Sequence, residues 1–394
     1  MPLLPTELIL LITTYLPPLD QVTVLQAVRG IARLFSSRQF ASTDDNGDTI
    51  LHLLARARTT PDCPYTTLEI PPFPSILALH EGPILHPQNH AGKTPLMQAA
   101  SAHNLRFMQL LLQKDPDSLN IVDEHGYTAL WWAVHAHFAD GLALLLEQPL
   151  INVKDRMANY EGIQETPLIC ALNNGLGPYG ICSLLAKHPD TDLSEVNEED
   201  GENPLMLAIR GDQEDLACHF IDCGGFNINA TRPYGETALH MAVAYGCTEV
   251  IEKLLDQEGI EPDLPDDRGR TPLSKARYSL ATEALLSCRD IKVNHIDHDG
   301  RSALSHVAAG GYEGAARVLL AHGARPDILD SSGYTPISRA AMAMMPGDMV
   351  EILEAALDKP AALPTLCSPT RLISQINPNT YSPILELNSG VTSD

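Results

Sequence analysis

The stretch Gly235-Glu-Thr-Ala-Leu-His-Met-Ala242 decides the reading of this chain, because it is one of nine versions of a single phrase. Written as Gly-x-Thr-Pro/Ala-Leu-x-x-Ala, the phrase puts its third position at Thr49, Thr94, Thr128, Thr166, Asn203, Thr237, Thr271, Ser302 and Thr335. The successive spacings are 45, 34, 38, 37, 34, 34, 31 and 33 residues. Self-similarity at such a period marks stacked structural repeats. Each position has a physical job. Thr, Asn or Ser caps a helix by accepting a bond from its free N–H groups. Pro often follows, as at Pro95, Pro167 and Pro272, where its fixed φ suits the first helical turn. A large aliphatic residue two past the cap, and usually Ala three further on, share one helical face, so neighbouring helices can pack closely. Gly stands two before the cap in eight of nine copies and supplies the positive φ of a tight tip.

A second amphipathic helix follows in each copy, carrying pairs such as Leu110-Leu111, Leu254-Leu255 and Leu319-Leu320. The order of tip, helix, turn and helix resembles the ankyrin-repeat family over residues 41–358. The expected fold is therefore an all-α ankyrin-repeat solenoid of about nine repeats. The first repeat is atypical, with a Pro-rich insertion at about 59–74. The resemblance implies that a protein partner lies on the concave side, made of tips and first helices. By family geometry, the residue one before the Ala borders that side. Trp132, Leu207, Met241, Lys275, His306 and Arg339 are accordingly the candidate partner-binding stripe, apolar first and basic last. Trp132 is its expected anchor. Trp131, in the family's framework His position, is read as a packing residue, and so are His52 and His240.

The N-terminal segment 1–40 does not fit the repeat. Leu4, Pro5, Leu8, Ile12, Leu16 and Asp20, with helical apolar spacing onward to Phe35, resemble the F-box. That resemblance implies docking on a Skp-family adaptor and cullin, a layout familiar from filamentous-fungal proteins. The alternative is a helical pair that only caps the array, covering the apolar edge that a terminal repeat exposes. Residues 359–394, with five Pro among many Ser, Thr and Asn, read as a loosely ordered tail.

Composition narrows the function. Fifty acidic against 26 basic residues leave a formal charge of −24, which opposes direct nucleic-acid binding. The apolar start from Leu8 to Ile12 lacks the basic region and length of a secretory signal. No run is long enough to span a membrane. Eight cysteines without CxxC pairing point to a reducing compartment, cytoplasmic and/or nuclear. Gly175-x-Gly177-x-x-Gly180 matches a dinucleotide-binding string, but it follows a helix and not a strand. His135-x-His137 and His295-Ile-Asp-His298-Asp299 lack metal-ligand spacing, and Cys218 and Cys223 are read as lacking a catalytic base. Two acidic clusters, Glu195 to Glu202 and Glu261 to Asp267, are read as solvated tips that can steer a basic partner. No enzyme, cofactor, metal, membrane or nucleic-acid role is expected. Three functions stay open: an adaptor that holds a substrate for a cullin–RING ubiquitin ligase, a transcriptional co-regulator acting through a bound transcription factor, or a plain scaffold.

Overall fold

The structure, a computed structural model, describes residues 43–56, 86–158, 164–173, 179–288, 290–343 and 348–357. The F-box-like residues Leu4, Pro5, Leu8, Ile12, Leu16 and Asp20, the Pro-rich insertion and the 359–394 tail lie outside them. The chain divides into two compact units, residues 1–227 and 228–394.

In the first unit the described helices are α1 (Ile50–Ala55), α2 (Pro95–Ser101), α3 (Leu105–Lys114), α4 (Ala129–His135) and α5 (Ala139–Leu146). After them come α6 (Pro167–Asn173), α7 (Tyr179–Lys187), α8 (Pro204–Arg210) and α9 (Glu214–Cys223). First helices pack on first helices along the row α1, α2, α4, α6, α8, and second helices on second helices along α3, α5, α7, α9. The second unit repeats this arrangement. Its first-helix row is α10 (Ala238–Tyr245), a 3-10 turn at Pro272–Lys275, α13 (Ala303–Gly310) and α15 (Pro336–Ala341). Its second-helix row is α11 (Thr248–Leu255), α12 (Ser279–Leu286), α14 (Glu313–Ala321) and α16 (Met349–Leu357).

The phrase works as its chemistry predicts. Thr94, Asn203 and Thr335 accept from the N–H three residues on, at 3.3, 2.9 and 3.3 Å. The aliphatic residue two past the cap, from Leu51 to Ile337, is buried in every repeat, and so is every Ala of the phrase. Each such Leu removed from water stabilises the stack by roughly 2 kcal/mol. At the tips, Gly235 (φ +78°) and Gly269 (φ +77°) are needed twice over. A Cβ on Gly235 would meet the Asp267 backbone nitrogen at 2.8 Å, and one on Gly269 the His298 ring at 2.7 Å. The close approach lets one tip bond to the next: Asp267 N–H donates to the Tyr234 carbonyl and His298 N–H to the Arg268 carbonyl, both at 3.0 Å.

Two repeats depart from the phrase. Repeat four has a true two-strand hairpin, β1 (Met157–Ala158) against β2 (Gln164–Glu165), in place of a Gly tip. Repeat seven, the one with 31-residue spacing, forms only the single 3-10 turn Pro272–Lys275 where a full first helix is expected. Ala276 leaves it with ψ of 124°, and Arg277 to Leu280 are exposed.

His240 shows how adjacent repeats are joined. Its Nδ1 accepts from the Thr237 N–H at 3.1 Å, so the neutral ring carries its proton on Nε2, which donates to the Arg270 carbonyl of the next repeat at 2.9 Å. His52 does the same between Thr49 (3.1 Å) and Lys93 (2.8 Å). Burial pushes both imidazoles below their ordinary pKa.

Candidate partner-binding surface

The surface is built from the tips upward. Five residues before the cap most tips carry Asp or Asn, whose Oδ1 accepts two backbone N–H groups of its own loop. Asp330 takes those of Ser332 and Tyr334, both at 2.9 Å; Asp297 takes those of Asp299 (2.9 Å) and Arg301 (2.8 Å). These bonds close the tip. They also leave Oδ2 aimed at the side chain nine residues later, the position read from sequence as the partner-binding stripe.

That position is largely occupied from within. Trp132 Nε1–H donates to Asp123 at 3.1 Å, His306 Nε2 lies 2.7 Å from Asp297, and Arg339 Nε–H donates to Asp330 at 2.7 Å. Lys275 bonds Glu236 and stands 3.8 Å from Asp266, which Arg270 also holds. Burial works to raise the Asp266 and Asp330 carboxyls, but the bonds from Arg270 and Arg339 and from the tip backbone outweigh it, and both end below the ordinary carboxylate range. Burial lowers His306, and the facing Asp297 only partly offsets it. The basic end of the stripe is thus not free charge: Arg339 and the His306 imidazole fasten a first helix to its own tip, and Lys275 bonds chiefly to Glu236 of the preceding repeat.

The apolar members of the stripe need correcting. Leu207 and Met241 keep only 5% and 2% of their surface and offer a partner almost nothing. The same position is partly open at Leu53 and where its side chain reaches for a tip carboxylate, as at Trp132, His306 and Arg339. In the Met241 repeat the corresponding tip residue is Arg232, which bonds Glu236 instead. Trp132 is half-buried. Its ring meets Trp131 edge-on at 5.1 Å, and the Lys93 ammonium covers it at 3.5 Å from the centroid. Trp131 is a packing residue, stacked on Tyr127 at 3.7 Å and on His135 at 4.9 Å.

Sequence reading missed the residue just before the tip Asp or Asn. In the first unit Val122 and Val196 are each 46% exposed there. In the second, Ile296 and Leu329 reach 51% and 59%, Pro265 is exposed, and Tyr234 stands at a neighbouring tip at 78%. Aliphatic residues six before the cap at Val122, Ile296 and Leu329, and seven before it at Val196, in loops otherwise polar, were the available signal.

Other candidate chemistry weakens on inspection. Cys223 does have a base beside it, which corrects the sequence reading: His219 Nε2 lies 3.6 Å from its sulfur and 3.1 Å from Ser183 Oγ. Burial raises that thiol above its ordinary pKa, so it is a poor nucleophile. His295 Nε2–H donates to the Gly269 carbonyl, 2.9 Å away, as a tip-to-tip brace. Among the described residues no group of three or more His, Cys, Asp or Glu could hold a metal ion. None of their helices is long and apolar enough to cross a membrane. The acidic tip of repeat five is partly paired, with Arg156 on Glu195 (2.5 Å) and Glu198 (3.0 Å) and Arg210 on Asp200 (2.5 Å).

Comparison with known proteins fits this geometry. Residues 74–157 match a family model described as ankyrin repeats (3 copies), and residues 221–276 one described as ankyrin repeats (many copies). The chain is 26% identical over 268 residues to the nuclear factor NF-kappa-B p105 subunit of Gallus gallus, covering 62% of this chain and 26% of that protein. It is 25% identical over 212 residues to the ANK repeat-containing protein nipk-1 of Caenorhabditis elegans, covering 52% and 32% respectively. It is 31% identical over 150 residues to neurogenic locus notch homolog protein 1 of Danio rerio, covering 37% and 6%. The chain therefore spans a third or less of each of these relatives. Among solved structures, the ankyrin repeat domain of Bcl-3 is similar at 24% identity with a TM-score of 0.48, covering 61% of this chain and 100% of that one. The helical pairs described in both units, with their capped first helices and Gly-bearing tips, are ankyrin repeats.

Proposed function

We propose that this chain is a non-catalytic adaptor that holds a protein partner across its repeat tips. One observation carries the reading: exposed aliphatic side chains recur just before the tip Asp or Asn, at Val122 and Val196 in one unit and Ile296 and Leu329 in the other. Exposed aliphatic residues kept in register are suited to contact with another protein. Tips braced by their own carboxylates hold them in place before binding, which lowers the ordering cost of association. The test is affinity capture by the full chain, followed by Ile296→Asp with Leu329→Asp. The partner should be lost while the repeats stay folded. Retention at wild-type strength sinks the reading.

The more specific role is that of a substrate receptor. Its support is the F-box-like run from Leu4 to Asp20, which would hand the partner to a Skp-family adaptor and a cullin. Leu4→Ala with Pro5→Ala should remove the adaptor from purified complexes without unfolding the repeats. If wild-type protein never carries the adaptor, the segment is a cap. The alternative is a co-regulator that binds a transcription factor without touching DNA. It is favoured by similarity to a protein named as a nuclear factor subunit and by the charge of −24. A plain scaffold fits the same tips. Each of these reads as cytoplasmic and/or nuclear.

A further inference from the structure

We propose that the tip-side face of the second unit takes an acidic, aliphatic peptide segment of the partner; this rests on the protein-binding reading above. Ile296 and Leu329 stand exposed at equivalent positions of consecutive repeats and supply the apolar contacts. The paired charges at two tips of this face are sorted by depth. The side chains of Arg270, Lys275, Arg301 and Arg339 keep 16–34% of their surface, whereas those of Asp266 and Asp330 keep 0% and 1%. At the Asp266 and Asp330 tips an arriving segment therefore meets guanidinium and ammonium N–H edges before the carboxylates behind them; the exposed Asp267 and Asp299, the latter at 69%, are exceptions that it must pass beside.

Arg301 adds a second, independent observation. Its buried Nε has no hydrogen-bond acceptor among the described residues, and its ion pair with Asp299 is long at 3.7 Å. The Nε itself lies too deep for a visitor, but the terminal nitrogens belong to a side chain that is 34% exposed, and a carboxylate from outside can pair with them more closely than Asp299 does. A carboxylate flanked by aliphatic residues pairs with Arg301 while its neighbours cover Ile296 and Leu329. The chain as a whole carries −24 and attracts basic segments through its long-range field, so a preference for an acidic one has to come from this local arrangement.

The test uses the full chain and short labelled peptides that alternate Leu with Glu, with Gln or with Lys, read by fluorescence anisotropy at low and physiological salt. The expected order is Glu over Gln over Lys. The Glu peptide should bind about ten-fold tighter than the Lys peptide at low salt, with the gap narrowing as salt rises. Arg301→Glu with Arg339→Glu should reverse the order, and Ile296→Ser with Leu329→Ser should weaken all three. A preference for the Lys peptide, an order untouched by these variants, or no binding of any peptide overturns the proposal. The protein-binding reading is judged apart from this. A captured partner that is lost on Ile296→Asp with Leu329→Asp, but whose binding is untouched by the two arginine reversals, upholds that reading and sinks only the acidic-segment inference.

Discussion

Replacing His240 with Ala removes two bonds at once from the joint between repeats six and seven. The Thr237 N–H loses its acceptor at 3.1 Å, and the Arg270 carbonyl loses one of two donors, at 2.9 Å, keeping the Asp266 N–H at 2.8 Å. The imidazole is 1% exposed, so water cannot reach both groups without opening the joint. The buried Thr237 N–H left unmet costs about 1–3 kcal/mol, the lost second bond to the Arg270 carbonyl about 1 kcal/mol, and the cavity adds to that, so the substitution should cost roughly 3–5 kcal/mol. That is a large share of a typical domain stability of about 5–15 kcal/mol. His240→Met should cost about half as much by the same reckoning, because Met97 fills this position in repeat two and its sulfur accepts from the Thr94 N–H at 3.4 Å. Repeat arrays share energy mainly between neighbours, so the readout is native-state hydrogen exchange together with urea unfolding. Protection should fall first in α10 and in the Pro272–Lys275 turn, while α15 and α16 keep theirs. An unfolding midpoint that does not move for His240→Ala would refute the claim that this relay couples the repeats.

Three further outcomes follow from the same physics. His52, His240 and His306 have pKa values lowered from 6.5 by burial, so the unfolded chain takes up protons that the folded chain refuses. Stability should be fully present above pH 6.5 and fall progressively below it, with a shallower slope in His240→Met; urea midpoints that rise between pH 7 and pH 5 would contradict this. Arg339→Leu leaves Asp330 without its side-chain partner and should destabilise the second unit by about 1–3 kcal/mol, recovered in part by Asp330→Asn in a double-mutant cycle. Leu205→Asp puts an unpaired charge into a buried site of α8 and should unfold several repeats of the first unit together, whereas an unchanged circular dichroism melt would mean the repeat register is wrong.

Most of the fold was legible because its determinants are local. Cap, Pro, aliphatic residue, Ala and Gly each act within one turn or one tip, so their spacing alone located every first helix. Repeat seven was harder. Its shortened spacing was visible, but the loss of a helical turn after Lys275 depends on how Ala276 leaves the stack. The binding stripe was misjudged for a tertiary reason. Folding brings the residue five before the cap against the residue four after it, and sequence spacing does not announce that meeting. Lys275, His306 and Arg339 therefore looked like free charges when they are tip fasteners. Leu207 and Met241 looked exposed when they are buried. The residue before the tip Asp went unnoticed because a single Ile or Leu in a loop needs no explanation until its neighbours at the same offset are compared.

The central claim is that partners are held at the tips, and site-specific photo-cross-linking tests it most directly. A photoreactive amino acid is placed in turn at Val122, Ile296 and Leu329, and at Glu252 and Glu283 on the exposed faces of second helices, and cross-linked partners are identified by mass spectrometry. The account predicts that one and the same partner is captured from the tip positions and not from the second-helix positions. Capture from Glu252 and Glu283 with none from the tips would contradict it.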